Sequence, residues 1–116
     1  MITIAPDKQR RDTLLLALAD PTRAQIVEML STRPHSAGEL HRAFPIANPA
    51  VSRHLRVLRE AGLVAERTPP DDGRVRLYSL DAEAIETLRA WLDALGDRWQ
   101  SQLESFKDFV ALRRQS

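Results

Sequence analysis

Asn48, Ser52, Arg53, Arg56 and Arg59 crowd into one short stretch, with His54 among them. Their chemistry suits a nucleic acid. Asn and Arg can bond bidentately to base edges, and Ser and Arg can hold phosphate oxygens. Val51, Leu55 and Leu58 recur between them at i, i+4 and i+7, the spacing of one buried helical face. The polar residues lie opposite that face or flank it. Asn48 can cap the helix, and Pro49 suits its first turn, where a missing amide proton costs nothing. Gly62 supplies a left-handed stop. An ordinary solvated helix has the same pattern, so this stretch alone leaves two readings open.

The elements that would position this helix come next. Ser36 followed three residues later by Glu39 is a capping box, which predicts a helix from Ala37. Leu40, Ala43 and Phe44 share one of its faces, and Pro45 ends it. Two short helices joined by a tight turn result. Upstream, Asp7 can cap a first helix running to about Ala19, with Leu14, Leu15 and Leu18 apolar. Asp20-Pro21 opens a second helix, with Ile26, Val27 and Leu30 as its core stripe. Residues 31–35 read as a loop.

The segments NPAVSRHLRVLREAGLV (Asn48 to Val64) and ALADPTRAQIVEML (Ala17 to Leu30) together resemble the arsenic-repressor (ArsR) family of winged helix-turn-helix transcription regulators. The likeness runs from about Leu14 to Leu80 and is strongest to the subgroup without metal-binding cysteines. It implies a mainly α fold with a small β-hairpin, in the order α-α-α-α-β-β-α, dimerising through its terminal helices. It also implies that Asn48, Pro49, Ser52, Arg53, His54 and Arg56 lie on a DNA recognition helix. Arg23 is typical of the family pattern and is read as either structural or phosphate-facing. Phe44-Pro45-Ile46-Ala47 departs from the usual turn, which carries Gly first and Ser last; the turn is therefore stiffer and the start of the recognition helix open.

The wing is expected as a strand over residues 63–68, a turn over 69–73 and a return strand over 74–80. Val75, Leu77 and Ser79 would share one face, and Arg74, Arg76 and Tyr78 the other. Arg74 and Arg76 are then candidates for phosphate or minor-groove contact. Asp71 and Asp72 would meet phosphate repulsion, which keeps the tip itself off DNA.

Asp81 caps a long tail helix running to about Leu112. Ile85, Leu92, Trp99 and Phe106 fall on heptad a positions, and Leu88, Leu95, Gln102 and Phe109 on d positions. Such a seam asks for a helical partner, and leaving it bare would be an aggregation hazard. A homodimer follows, with Leu14, Leu18, Leu88, Trp91, Leu92, Leu95, Trp99 and Phe106 as candidate interface residues. For Leu14 and Leu18 plain core packing is an equal alternative. Trp91 and Trp99 either pack in the seam or line a groove for a small apolar ligand.

With 116 residues the chain is read as one domain, its core at 7–80 and its dimerisation helix at 81–112. The absence of cysteine excludes disulfides, thiolate metal sites and cysteine nucleophiles. No apolar run suits a membrane span or a signal peptide, so a cytoplasmic protein without a membrane partner is expected. Net charge is only +1 but is segregated: Arg33 to Arg76 holds eight arginines against five acids, and Asp81 to Leu112 seven acids against three bases. Segregated charge of this kind lets a near-neutral protein bind phosphates.

Metal sensing, well known in the family, is tested at its two sites. The positions matching them hold Ser36 and Gly38 in one case and Ala82, Ala84, Leu95 and Arg98 in the other. None of these offers zinc a ligand. His35 and His41 read as surface residues. No metal, cofactor or catalytic residue is expected, because no phosphate-cradling loop or nucleophile motif is present. Ser52 and His54, two apart on a helix, do not face each other. The function read from all this is a homodimeric, metal-independent, sequence-specific repressor on a pseudo-palindromic double-stranded DNA operator. Any inducer is unidentified. A winged helix serving as a protein-interaction module is the alternative; clustered like charge disfavours it.

Overall fold

The structure is a computed structural model, and it describes residues 6–71 and 73–115. The chain divides into two compact units, Met1–Ile85 and Glu86–Ser116.

In the first unit, helix α1 spans Pro6–Leu18 and α2 spans Pro21–Leu30. Asp7 is not the cap of α1 but sits in its first turn, where a carboxylate still favours the positive helix end. Asp20 caps α2, its Oδ2 accepting from the Arg23 backbone N–H at 3.0 Å, with Pro21 in the first turn. That backbone bond is the main reason the Asp20 carboxyl titrates below its ordinary value. A two-residue strand β1, His35–Ser36, leads into α3, Ala37–Ala43. Both halves of the capping box are made: Glu39 N–H donates to Ser36 Oγ at 3.1 Å, and Ser36 N–H donates to Glu39 Oε1 at 3.2 Å. Phe44, before Pro45, is extended at φ −120, ψ 137, and α3 stops there.

Helix α4 runs Asn48–Glu60. Its cap is Ala47, not Asn48, and no side chain bonds the cap position. Gly62 closes the helix at φ +80, a backbone conformation that L side chains rarely adopt.

Strands β2, Val64–Arg67, and β3, Leu77–Leu80, pair antiparallel with Val64 opposite Leu80 and Arg67 opposite Leu77. Strand β1 pairs with the other edge of β3, giving the order β1-β3-β2. Two expectations change here. The presumed loop 31–35 ends in a strand. The return strand begins at Leu77 and not at Arg74. Tyr78 is 7% exposed and still lies beside Arg76, to which its phenol is hydrogen-bonded. Burial, and then the nearby Glu66, raise its phenol above the ordinary range. Pro69-Pro70 supply no amide donors, which shortens the ladder on that side; Asp72, expected at the tip, lies outside the described residues.

The core includes Leu14, Ile26, Leu40, Val51, Leu55, Leu58 and Leu63, with Tyr78 of β3 and Ala84 of the last helix also buried. Each of these leucine, isoleucine and valine side chains contributes about 1.5–3 kcal/mol by leaving water. The stripe of α4 is thus locked inward, and α4 packs against α2, α3 and β2.

Helix α5 spans Ala82–Gln115, capped by Asp81, whose Oδ1 accepts from the Ala84 N–H at 2.8 Å. At 1.5 Å per residue it is about 50 Å long. The second unit is the continuation of this helix. Leu92, Leu95, Trp99, Phe106, Phe109 and Leu112 are exposed on it, Trp99 to 63%. Within the described residues no helix is long and apolar enough to cross a membrane.

Candidate nucleic-acid interface

Burial of Val51, Leu55 and Leu58 turns the opposite side of α4 to solvent. Asn48, Pro49, Ser52, Arg53 and Arg56 are all exposed there. Arg53 and Arg56 have no hydrogen-bond or ion-pair partner among the described residues, so their guanidiniums are available to a ligand. Asn48, relieved of capping, also keeps its side-chain amide available. Ser52 Oγ lies 3.2 Å from His41 Nε2, a bond that ties α3 to the start of the reading face.

His54 differs from its neighbours. It is half-buried, with Nδ1 3.4 Å from Arg23 Nη1 and 3.8 Å from Asp20 Oδ2. It points back into the subunit and not toward the face carrying Arg53 and Arg56. His35, expected at the surface, is buried to 7% exposure, and its Nδ1 lies 2.9 Å from the Arg33 carbonyl.

The wing arginine Arg76 is engaged within the fold. Glu66 on β2 accepts from Arg59 Nη1 at the end of α4 and, at 3.3 Å, from Arg76 Nε. Its side chain is largely covered. Arg76 therefore meets a phosphate only in competition with, or alongside, this carboxylate. Arg74 is exposed in the segment before β3. Further from the face, Arg33 Nη2 grips Glu39 Oε2 at 2.7 Å. That bond first, and the Ser36 backbone N–H second, hold the Glu39 carboxyl down to about 2.

Among the candidate interface residues of α1, Leu14 is fully buried and Leu18 half-buried, whereas Leu16, not singled out in the sequence, is exposed. In α5, Leu88 is buried, Trp91 half-buried, and Leu92, Leu95, Trp99 and Phe106 exposed. Glu66 was not singled out in the sequence: its partners Arg59 and Arg76 lie on other elements, and no local spacing marks it. For Arg23 the sequence left two readings open, and its contact with His54 spans thirty-one positions. Ser36 serves as a cap, and the described residues contain no cluster of three or more potential metal ligands.

A family model described as a helix-turn-helix domain matches residues 18–67. The HTH-type transcriptional regulator Rv2034 of Mycobacterium tuberculosis is 46% identical over 94 residues, covering 81% of this chain and 82% of the relative. The transcriptional repressor SdpR of Bacillus subtilis is 29% identical over 76 residues, covering 66% of this chain and 81% of SdpR. Among solved structures, an ArsR-like transcriptional regulator from Rhodococcus sp. RHA1 superposes with a TM-score of 0.72 at 25% identity, covering 90% of this chain and 96% of that one. The chain belongs to the ArsR-type winged helix-turn-helix regulators. As an ArsR-type protein it is a transcription regulator with a helix-turn-helix DNA-binding domain, and not an enzyme. In ArsR-type terms α3 and α4 are the helix-turn-helix, α4 the recognition helix, and β2–β3 the wing.

Proposed function

We propose that this regulator is a homodimeric repressor that binds a pseudo-palindromic operator without requiring a metal ion. The observation that carries the reading is the pair of exposed guanidiniums, Arg53 and Arg56, without a partner among the described residues, on the outer side of a helix fixed by its buried stripe. Asn48, Ser52 and Arg53 contact base edges or phosphates near the start of the helix. Arg56, Arg74 and Arg76 hold phosphates, and exposed Pro49 allows close approach of the first turn. The second copy docks on the bare stripe of α5, through Leu92, Leu95, Trp99 and Phe106, with Trp91 on the same helix. Leu14 and Leu88 are buried and Leu18 is half-buried, so the exposed α5 residues carry this reading. A two-fold dimer then offers its recognition helices to half-sites about 34–36 Å apart, one turn of duplex.

Repression is supported by the likeness to SdpR, which is named a transcriptional repressor. Metal independence is supported by the side chains at the family's ligand positions, Ser36, Gly38, Ala82, Ala84, Leu95 and Arg98, none of which suits zinc. A cytoplasmic location follows from the same role. The test is enrichment of duplexes from a random library by the purified full-length protein, with chelator present. An inverted repeat with a steep log–log fall of affinity with salt is the expected result. Enrichment of no duplex overturns the DNA-reading role and leaves the protein-interaction module standing.

A further inference from the structure

Three helices meet at Arg23. Its Nε donates to the Ala17 carbonyl at 2.7 Å and its Nη2 to the Leu16 carbonyl at 3.4 Å. Both acceptors lie in the last turn of α1, which carries no basic residue of its own. A guanidinium there satisfies the Ala17 carbonyl, shares the Leu16 carbonyl with the Ala19 N–H and meets the negative end of the helix dipole. The remaining nitrogen, Nη1, lies 3.4 Å from Nδ1 of His54, on the recognition helix. Asp20 holds the backbone N–H of Arg23 at 3.0 Å, which fixes where the side chain starts. The two bonds to α1 then fix where it ends.

A guanidinium has donors only. His54 completes the contact by accepting at Nδ1, which leaves the ring proton on Nε2. Asp20 Oδ2, 3.8 Å from the same nitrogen, is beyond hydrogen-bond reach, so the alternative tautomer would set two donors against each other at the nearer contact.

Resting on the DNA-reading role of α4 proposed above, we infer that Arg23 and His54 are a positioning pair for the recognition helix. They fasten α4 to the end of α1 and set the angle at which Asn48, Ser52 and Arg53 are offered to the groove. Neither residue reads DNA itself. His54 thereby leaves the set of DNA-contacting residues that the family likeness implies, and Arg23 has a structural and not a phosphate-facing task.

The test uses the full-length protein and the duplex that the wild type enriches. His54→Ala removes the acceptor. His54→Asn puts an amide oxygen near the place of Nδ1 and nothing at the place of Nε2. Loss of one well-oriented base contact corresponds to about tenfold in affinity; His54→Ala should show a fall of that order, and His54→Asn should recover most of it. The salt slope should stay constant in both and in Arg23→Gln, since a lost phosphate contact would lower it by about one. Nitrogen-15 spectra of the wild type should show His54 as the Nε2–H tautomer, a bias that Arg23→Gln abolishes. Asn as weak as Ala, a lowered slope in Arg23→Gln, or an Nδ1–H tautomer in the wild type overturns the proposal. Should Arg23→Gln not fold, the Ala–Asn comparison decides, because it leaves the cap on α1 intact. If the wild type enriches no duplex, the DNA-reading role falls instead, and the tautomer still decides whether Arg23 holds His54.

Discussion

Arg76 Nε lies 3.3 Å from Glu66 Oε1, so the arginine just before β3 is ion-paired before any phosphate arrives. The other oxygen of the same carboxylate takes Arg59 from the end of the recognition helix. Glu66→Gln should therefore release two guanidiniums toward DNA. Affinity for random-sequence duplex at low salt should rise about threefold to tenfold, with a steeper salt dependence. The cost in folding stability should be about 1 kcal/mol or less, as for most ion pairs near a surface. Unchanged affinity would show that both arginines stay clear of the duplex.

Arg53→Ala tests the opposite kind of arginine, one with no partner among the described residues. Nothing in the fold depends on its side chain, so the unfolding midpoint should not move. Loss of a bidentate base contact costs about 1–3 kcal/mol, so affinity for the enriched duplex should fall about tenfold or more. A fluorescence anisotropy titration at fixed salt measures it; wild-type affinity would remove Arg53 from the reading face.

The capping box of α3 carries a pH dependence. The Glu39 carboxyl lies at about 2 in the folded protein against an ordinary 4.5. A depressed folded value means stability that is complete above about pH 4.5 and drains away as pH falls toward 2. Glu39→Gln should be less stable than wild type at pH 7, with the gap closing between pH 4.5 and 2. Urea unfolding at a series of pH values follows this, and a gap independent of pH would mean the charge on Glu39 is immaterial.

The bare stripe of α5 predicts the state of association. Phe106→Glu combined with Leu92→Glu should convert a dimer to a monomer in sedimentation at micromolar concentration. Affinity for a two-half-site duplex should fall about a hundredfold, because the second half-site no longer binds intramolecularly. A wild type that sediments as a monomer would sink this geometry directly.

What the sequence revealed was whatever chemistry closes within a few residues. Ser36 and Glu39 are three apart, as are Asp20 and Arg23, and both caps formed as read. The Val51, Leu55 and Leu58 stripe was equally local, and with it the outward face of α4. Misreadings came where a distant partner decides. His35 is buried because β1 lies against β3, whose residues come much later in the chain. Asn48 lost its capping role to Ala47, whose extended backbone at φ −62, ψ 143 precedes the helix. His54 looked like one more polar residue on a reading helix until Arg23, thirty-one positions earlier, was seen beside it.

Strand β1 is only two residues long, and it occupies one rim of the sheet, while β2 at the other rim ends in Glu66 and Arg67. Neither rim is a good template for an extended chain from a neighbouring molecule, being too brief on one side and charged on the other. Self-assembly by sheet growth is thereby discouraged at crowded concentrations, and association is left to helical surfaces whose stoichiometry is finite.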